Sequence, residues 1–154
     1  MTMAQTVRFR LDDDACAQVE SLRARLRSLG LAVPTDTPGV TVAAAGAVPQ
    51  PARDALAVEL RLLALPSIWL ATLGTVAGRA DELVLAAVVD AELLAVHAAV
   101  HDALAGRVRA PVAAYLPGTW LPHCVLADER PADAFAALHP VTPVRARVVE
   151  VEIG

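Results

Sequence analysis

The sequence predicts an α+β fold of two pseudo-symmetric lobes, each an antiparallel-rich sheet with helices on its outer side, with a central groove between them. Three observations lead there. Hydrophobic spacing switches between strand and helix periods in the order strand, helix, strand, helix, strand, and then runs through that order again. Two six-residue segments, one in each half, match in position and pattern: Pro38-Gly39-Val40-Thr41-Val42-Ala43 and Pro122-His123-Cys124-Val125-Leu126-Ala127. The chain has 154 residues, of which 56% are hydrophobic and only 3% aromatic, so it suits one domain whose core is built from Ala, Val and Leu.

The elements follow in order. Thr6 to Leu11 alternates Val7, Phe9 and Leu11 with Arg8 and Arg10, the pattern of a half-buried strand. Asp12 to Asp14 supply N-cap candidates, and their charge suits a helix N-terminus. Val19, Leu22, Leu26 and Leu29 then repeat at helical spacing until Gly30. After a loop from Pro34 to Pro38 comes the apolar run Val40 to Ala44. Pro49 and Pro51 open a second helix bearing Leu56, Leu60 and Leu63, which Pro66 ends. Ile68 to Leu73 reads as a strand, Gly74 to Arg79 as a turn region, and Leu83 to Val89 as a continuous apolar strand. Asp90 is placed to cap a helix from Ala91 to Leu104, which Gly106 ends. A Pro-rich segment, Pro111 to Pro122, leads into the run Cys124 to Ala127. Pro131 starts a short helix with Phe135 and Leu138, and Val144 to Ile153 is a final strand. Its alternation changes phase at Val148-Val149, which predicts a bulge.

The two runs of elements are related by a drifting offset. Gly39 and His123 are 84 residues apart, Asp54 and Asp133 79, and Asp14 and Asp90 76. Such drift is what changes in loop length between two copies produce. The chain is therefore read as one domain, 1–154, made of halves spanning about 1–75 and 80–154, with the lobes mixing segments of both.

Composition excludes several functions. The net charge of −4 argues against a DNA or general nucleic-acid coat protein. No Lys is present, which excludes a lysyl-adenylate ligase and a Walker-type phosphate loop. Cys16 and Cys124 form neither a CxxC pair nor a disulfide framework, so a reducing cytoplasm is expected. Met1 to Arg10 has no apolar leader core. Leu62 to Gly78 is uncharged, but Pro66, Ser67, Thr72, Gly74 and Thr75 interrupt it. It falls short of the roughly 20 residues of a bilayer span, and a buried helix end followed by a buried strand is expected instead.

The matched segments carry the candidate chemistry. On a strand, positions i and i+2 face the same way. His123 and Val125 are thus expected to point into one cleft, with Cys124 and Leu126 toward the core. Gly39 and Thr41 would face the cleft likewise, with Val40 and Val42 behind. Preceded by Trp120-Leu121, the second segment resembles a signature of the two-histidine phosphoesterase superfamily. That superfamily includes the 2′-5′ RNA ligase-like proteins and cyclic nucleotide phosphodiesterases. The signature is His-x-Thr/Ser-x with apolar x, occurring twice about half a domain apart. The first segment sits where the other copy belongs, and the resemblance covers nearly the whole chain as a single 2′-5′ RNA ligase-like domain.

The resemblance implies action on, or binding of, 2′,3′-cyclic phosphate or 2′-5′-linked nucleotides, with a small nucleotide or RNA end as partner and no metal or cofactor. In that scheme one histidine takes a proton from the attacking group and the other gives one to the leaving oxygen, while the hydroxyls hold the phosphate. Here only one diagonal remains, His123 for proton transfer and Thr41 as phosphate donor; Gly39 and Val125 occupy the other two positions. Loss of one proton-transfer group removes about 10²–10⁴ in rate. Impaired or altered catalysis is therefore expected. Three readings stay open: a relative that still binds a phosphorylated ligand, a substrate needing a single proton-transfer group, or completion by a residue such as Asp36 or Tyr115. A non-catalytic module binding a nucleotide or protein through the same groove is the alternative. Tyr115 and Trp120 are candidate substrate contacts, Trp120 by packing on the groove edge or stacking on a base. Arg8 and Arg145 are candidate phosphate grips if the first and last strands flank the groove; a solvated face beside Glu150 and Glu152 is the plainer reading. His97 and His101, four apart on a helix, lack the HExxH glutamate and read as a helix flank rather than a zinc site.

Overall fold

A computed structural model describes residues 4–154; residues 1–3, the start of the segment read above for a leader, lie outside the described residues. Seven strands and four α-helices follow the chain as β1 (Gln5–Leu11), α1 (Asp13–Ser28), β2 (Gly39–Ala47), α2 (Gln50–Leu62), β3 (Ser67–Val76), β4 (Arg79–Ala87), α3 (Ala91–Leu104), β5 (Arg109–Pro111), β6 (His123–Ala127), α4 (Pro131–Leu138) and β7 (Val144–Ile153). A 3₁₀ turn, Ala113–Tyr115, follows β5. The fold is α+β with every strand pair antiparallel, in the order β5-β2-β1-β7-β3-β4-β6. Leaving out β5, that order is symmetric about the β7/β3 junction. The two halves of the sheet share β7, whose first residues pair with β3 and whose later ones pair with β1.

The phase change in β7 is a bulge. Arg10 sits opposite Glu150 and Leu11 opposite Val148, so Val149 has no partner and turns outward. Asp90 caps α3, its Oδ1 accepting from the Leu93 N–H at 2.8 Å. Asp12 stands at the N-cap position of α1 but does not cap it. Its carboxylate accepts instead from the Arg147 N–H at 2.7 Å, tying the start of α1 to β7.

Other expectations need correction. The turn between β3 and β4 is far shorter than Gly74 to Arg79, because cross-strand pairing runs out to Val76 and Arg79. Only Ala77 and Gly78 (φ 84°) make the turn, and glycine takes that left-handed conformation without strain. The strand expected to end at Val89 ends at Ala87, leaving Val88 and Val89 exposed. The helix end before Pro66 is not buried: Leu62 is 77% exposed. In β3 only alternate residues, Ile68 and Leu70, are fully buried, since one face of the sheet is open there and Trp69 lies on it. No helix among the described residues is long and apolar enough to cross a membrane.

The core holds one face of each motif strand. Val7, Phe9, Val40, Val42, Cys124 and Leu126 are all buried in it together with Ala15, Val19 and Leu26 of α1. Laid flat, β2 and β6 would stand about 24 Å apart, five strand spacings of roughly 4.8 Å. Yet they contain residues within 8 Å of one another. The sheet therefore bends until β2 and β6 approach each other, and a groove opens between them.

Candidate active site

A groove of about 520 Å³ is bounded by Gly39 and Thr41 of β2 and by His123 and Val125 of β6. Their neighbours Val40, Val42, Cys124 and Leu126 are each at most 1% exposed. This is the outcome of strand alternation: one face of each strand is consumed by the core, and the other is left to the groove. Arg8, Arg23, Arg79, Tyr115, Asp36, Glu82 and Asp128 complete the wall, so three guanidinium groups and three carboxylates surround the imidazole and the hydroxyl. Burial, followed by the nearby charge of Glu82, holds the Asp128 carboxyl above its usual range.

Both motif strands present backbone edges that side chains satisfy. At β2 a bulge leaves Val42 without a partner, with Val7 opposite Ala43 and Arg8 opposite Thr41. The carbonyls there would be orphaned. The Trp120 indole N–H donates to Thr41 O at 3.0 Å, and His97 and His101 both donate through Nε2 to Val42 O, at 3.1 and 2.8 Å. His97 also approaches Tyr115 O at 2.8 Å and stacks flat on Trp120, with ring centroids 3.8 Å apart. Because both its partners are carbonyls, His97 Nε2 carries the proton. Desolvation, then the neighbouring His101, lower its pKa from 6.5 to about 4. These two histidines thus brace the strand that carries Thr41, and both spend Nε2 on backbone.

At β6 the brace is Arg23, whose Nε and Nη2 donate to Val125 O at 3.1 and 2.9 Å. Its Nη1 donates to Asp36 O at 2.7 Å and to Glu20 at 3.1 Å, and its Nη2 lies 3.5 Å from the Asp36 carboxylate. Only 1% exposed, this guanidinium locks α1, the loop before β2 and the second motif strand together. Sequence reasoning missed it, although its position between Val19 and Leu26 on the buried stripe of α1 was a signal. Arg79, Glu82 and Asp128 were missed without any such signal: the first two lie in the polar opening stretch of β4, which carries no apolar alternation, and the third just past the end of β6.

The sequence candidates separate into two groups. His123, Thr41, Tyr115 and Arg8 line the groove together. Trp120 does not: its ring lies against His97 and its N–H is spent on Thr41 O, leaving it 9% exposed and unable to stack on a base. Nor does Arg145, whose guanidinium lies 4.4 Å over the Trp69 ring at the β3/β7 seam, where the cation–π contact and the register of Trp69 opposite it hold it. Arg10 pairs with Glu150 at 3.0 Å, as the solvated-face reading holds. Cys124 is 1% exposed, and burial pushes its thiol pKa up, so it offers no nucleophile to the groove.

His123 donates from Nδ1 to Leu121 O at 2.7 Å, because a carbonyl can only accept. In the neutral ring the lone pair is then on Nε2, the atom able to take up a proton. The arrangement offers one imidazole nitrogen with a lone pair, one hydroxyl and three guanidinium groups around a groove of about 520 Å³. No protein-family model matches the sequence, and no curated protein does. Among solved structures, the chain is similar to the crystal structure of the MHV ns2 PDE domain. The TM-score is 0.66 over 97% of this chain and 96% of that one, at 16% sequence identity. Element order, sheet topology and this likeness together show that the chain shares the fold of that domain.

Proposed function

We propose that the groove takes a small nucleotide or RNA end bearing a 2′,3′-cyclic phosphate or a 2′-5′ linkage, with impaired or altered turnover. The observation that carries this reading is the presence of His123 and Thr41 on facing strands of one groove. The Thr41 hydroxyl donates to a phosphate oxygen and holds the group in line. His123 Nε2 accepts the proton of the attacking water or hydroxyl. With glycine at position 39 no second imidazole stands opposite, so one of the two transfers falls to solvent, at a cost of about 10²–10⁴ in rate. Val125 contributes no hydroxyl and lines the groove as apolar surface. The two free thiols fit a cytoplasmic setting.

The second reading, a non-catalytic binding module, is favoured by the same glycine and valine. Purified protein incubated with 2′,3′-cyclic nucleotides distinguishes the two. Slow turnover that disappears in His123→Ala supports the enzyme. Binding without turnover supports the module. Absence of both binding and turnover sinks the assignment of the groove.

A further inference from the structure

Position 39 is closed to any side chain, and what closes it has a chemical identity. A Cβ built on Gly39 would lie 2.8 Å from Phe9 O, 2.9 Å from Arg8 Nη2 and 3.2 Å from Arg8 Cζ. The first is backbone of the adjoining strand; the other two belong to a guanidinium that lies over the glycine. Arg8 is held there. Its Nη2 donates to Thr37 O at 3.0 Å and lies 3.4 Å from the Asp36 carboxylate, while the side chain is 23% exposed and lines the groove. Where the resemblance calls for an imidazole, this chain thus presents a cation anchored through β1. The Thr37 and Asp36 contacts both use Nη2, so among the described residues Nε and Nη1 remain as donors.

We infer that Arg8 replaces proton transfer by anion capture at this position, and that the groove prefers a terminal phosphomonoester of a nucleotide over the cyclic diester. This rests on the groove being a nucleotide-phosphate site, as proposed above. A guanidinium cannot accept a proton, so it adds nothing to acid–base turnover at neutral pH. It does bind phosphate oxygens through charge-assisted hydrogen bonds, which are roughly twice as strong as neutral ones. A monoester offers three terminal oxygens and close to two negative charges at pH 7, whereas a cyclic diester offers two oxygens and one charge. Thr41 satisfies one oxygen, and Arg8 is placed to take the others. The Asp36 carboxylate, shared between Arg8 and Arg23, offsets part of the cationic charge and orients both groups.

The test is calorimetric titration of the protein at pH 7 with adenosine 3′-monophosphate, adenosine 2′-monophosphate and adenosine 2′,3′-cyclic monophosphate. A monoester is expected to bind about tenfold more tightly than the cyclic compound. Arg8→Gln is expected to weaken both ligands but the monoester about tenfold more, so that the preference disappears, and Arg8→Lys, which keeps charge but not the planar donors, to restore part of it. If monoester and cyclic diester bind equally, or if Arg8→Gln weakens both by the same factor, Arg8 does not select the ligand and this inference fails while the nucleotide site stands. If none of the three binds, the nucleotide site itself is refuted.

Discussion

Placing the motif histidine at position 39 should destabilise the protein rather than repair the site, and alanine suffices as the probe because the offending atom is the Cβ. Non-bonded heavy atoms pack best near 3.5 Å. The 2.8 Å approach to Phe9 O therefore demands a displacement of about 0.7 Å between β1 and β2. These strands are paired from Gln5 through Arg10, so the movement cannot be absorbed by one residue. Overpacking of this kind costs roughly 1–3 kcal/mol. For a domain of this size each kcal/mol lowers Tm by about 2–4 °C, so Gly39→Ala should melt roughly 2–12 °C below the wild type. Arg8→Ala in the same chain removes the 2.9 Å side-chain contact but not the backbone one, and should recover less than half of the loss. Thermal unfolding followed by circular dichroism reads all three proteins. A Gly39→Ala variant within 1 °C of wild type would refute the claim that position 39 admits no side chain. Full recovery by Arg8→Ala would show that the guanidinium alone enforces the glycine.

Two further outcomes concern the braces behind the groove. His97 is neutral when folded, with its pKa lowered from 6.5 to about 4, so the unfolded chain binds the extra proton between those values. Its contribution is complete above pH 6.5 and is lost as pH falls toward 4, by up to about 3 kcal/mol. Urea unfolding at pH 7 and pH 4.5 should show a shallower acid loss in His97→Gln than in the wild type, and equal slopes would contradict the assignment. Arg23→Met leaves Val125 O and Asp36 O without their donor and frees the Asp36 and Glu20 carboxylates from their buried partner. A loss of about 3 kcal/mol in denaturant unfolding is expected, and a change below 1 kcal/mol would show that the latch is dispensable.

Period and punctuation made most of the fold legible. The helical stripe of α1, the Asp90 cap, Pro131 at the start of α4 and the phase slip in β7 each express a local rule that needs no partner to be read. The same holds for the motif strands: side chains alternate with period two whatever lies around them, so His123 with Val125 and Gly39 with Thr41 had to share faces. Errors arose where the outcome depends on a neighbour. The β3–β4 turn was drawn too long because pairing, not composition, decides where a hairpin ends. Trp120 and Arg145 stand as candidate ligand contacts in the sequence because nothing in their own segments reveals the ring of His97 or the ring of Trp69 against which the structure packs them.

The amino-acid sequence by itself determined that two strands of duplicated pattern each turn one face away from the core, since backbone geometry alone dictates that alternation. Only tertiary structure decided that the sheet bends until those faces meet, and that Arg8 reaches across from β1 to lie over Gly39. The physical reason is range. Side-chain direction along a strand is set within a few residues, whereas a vacancy at one position can be filled by an atom from any part of the chain, and the sequence around the vacancy carries no record of which one arrives.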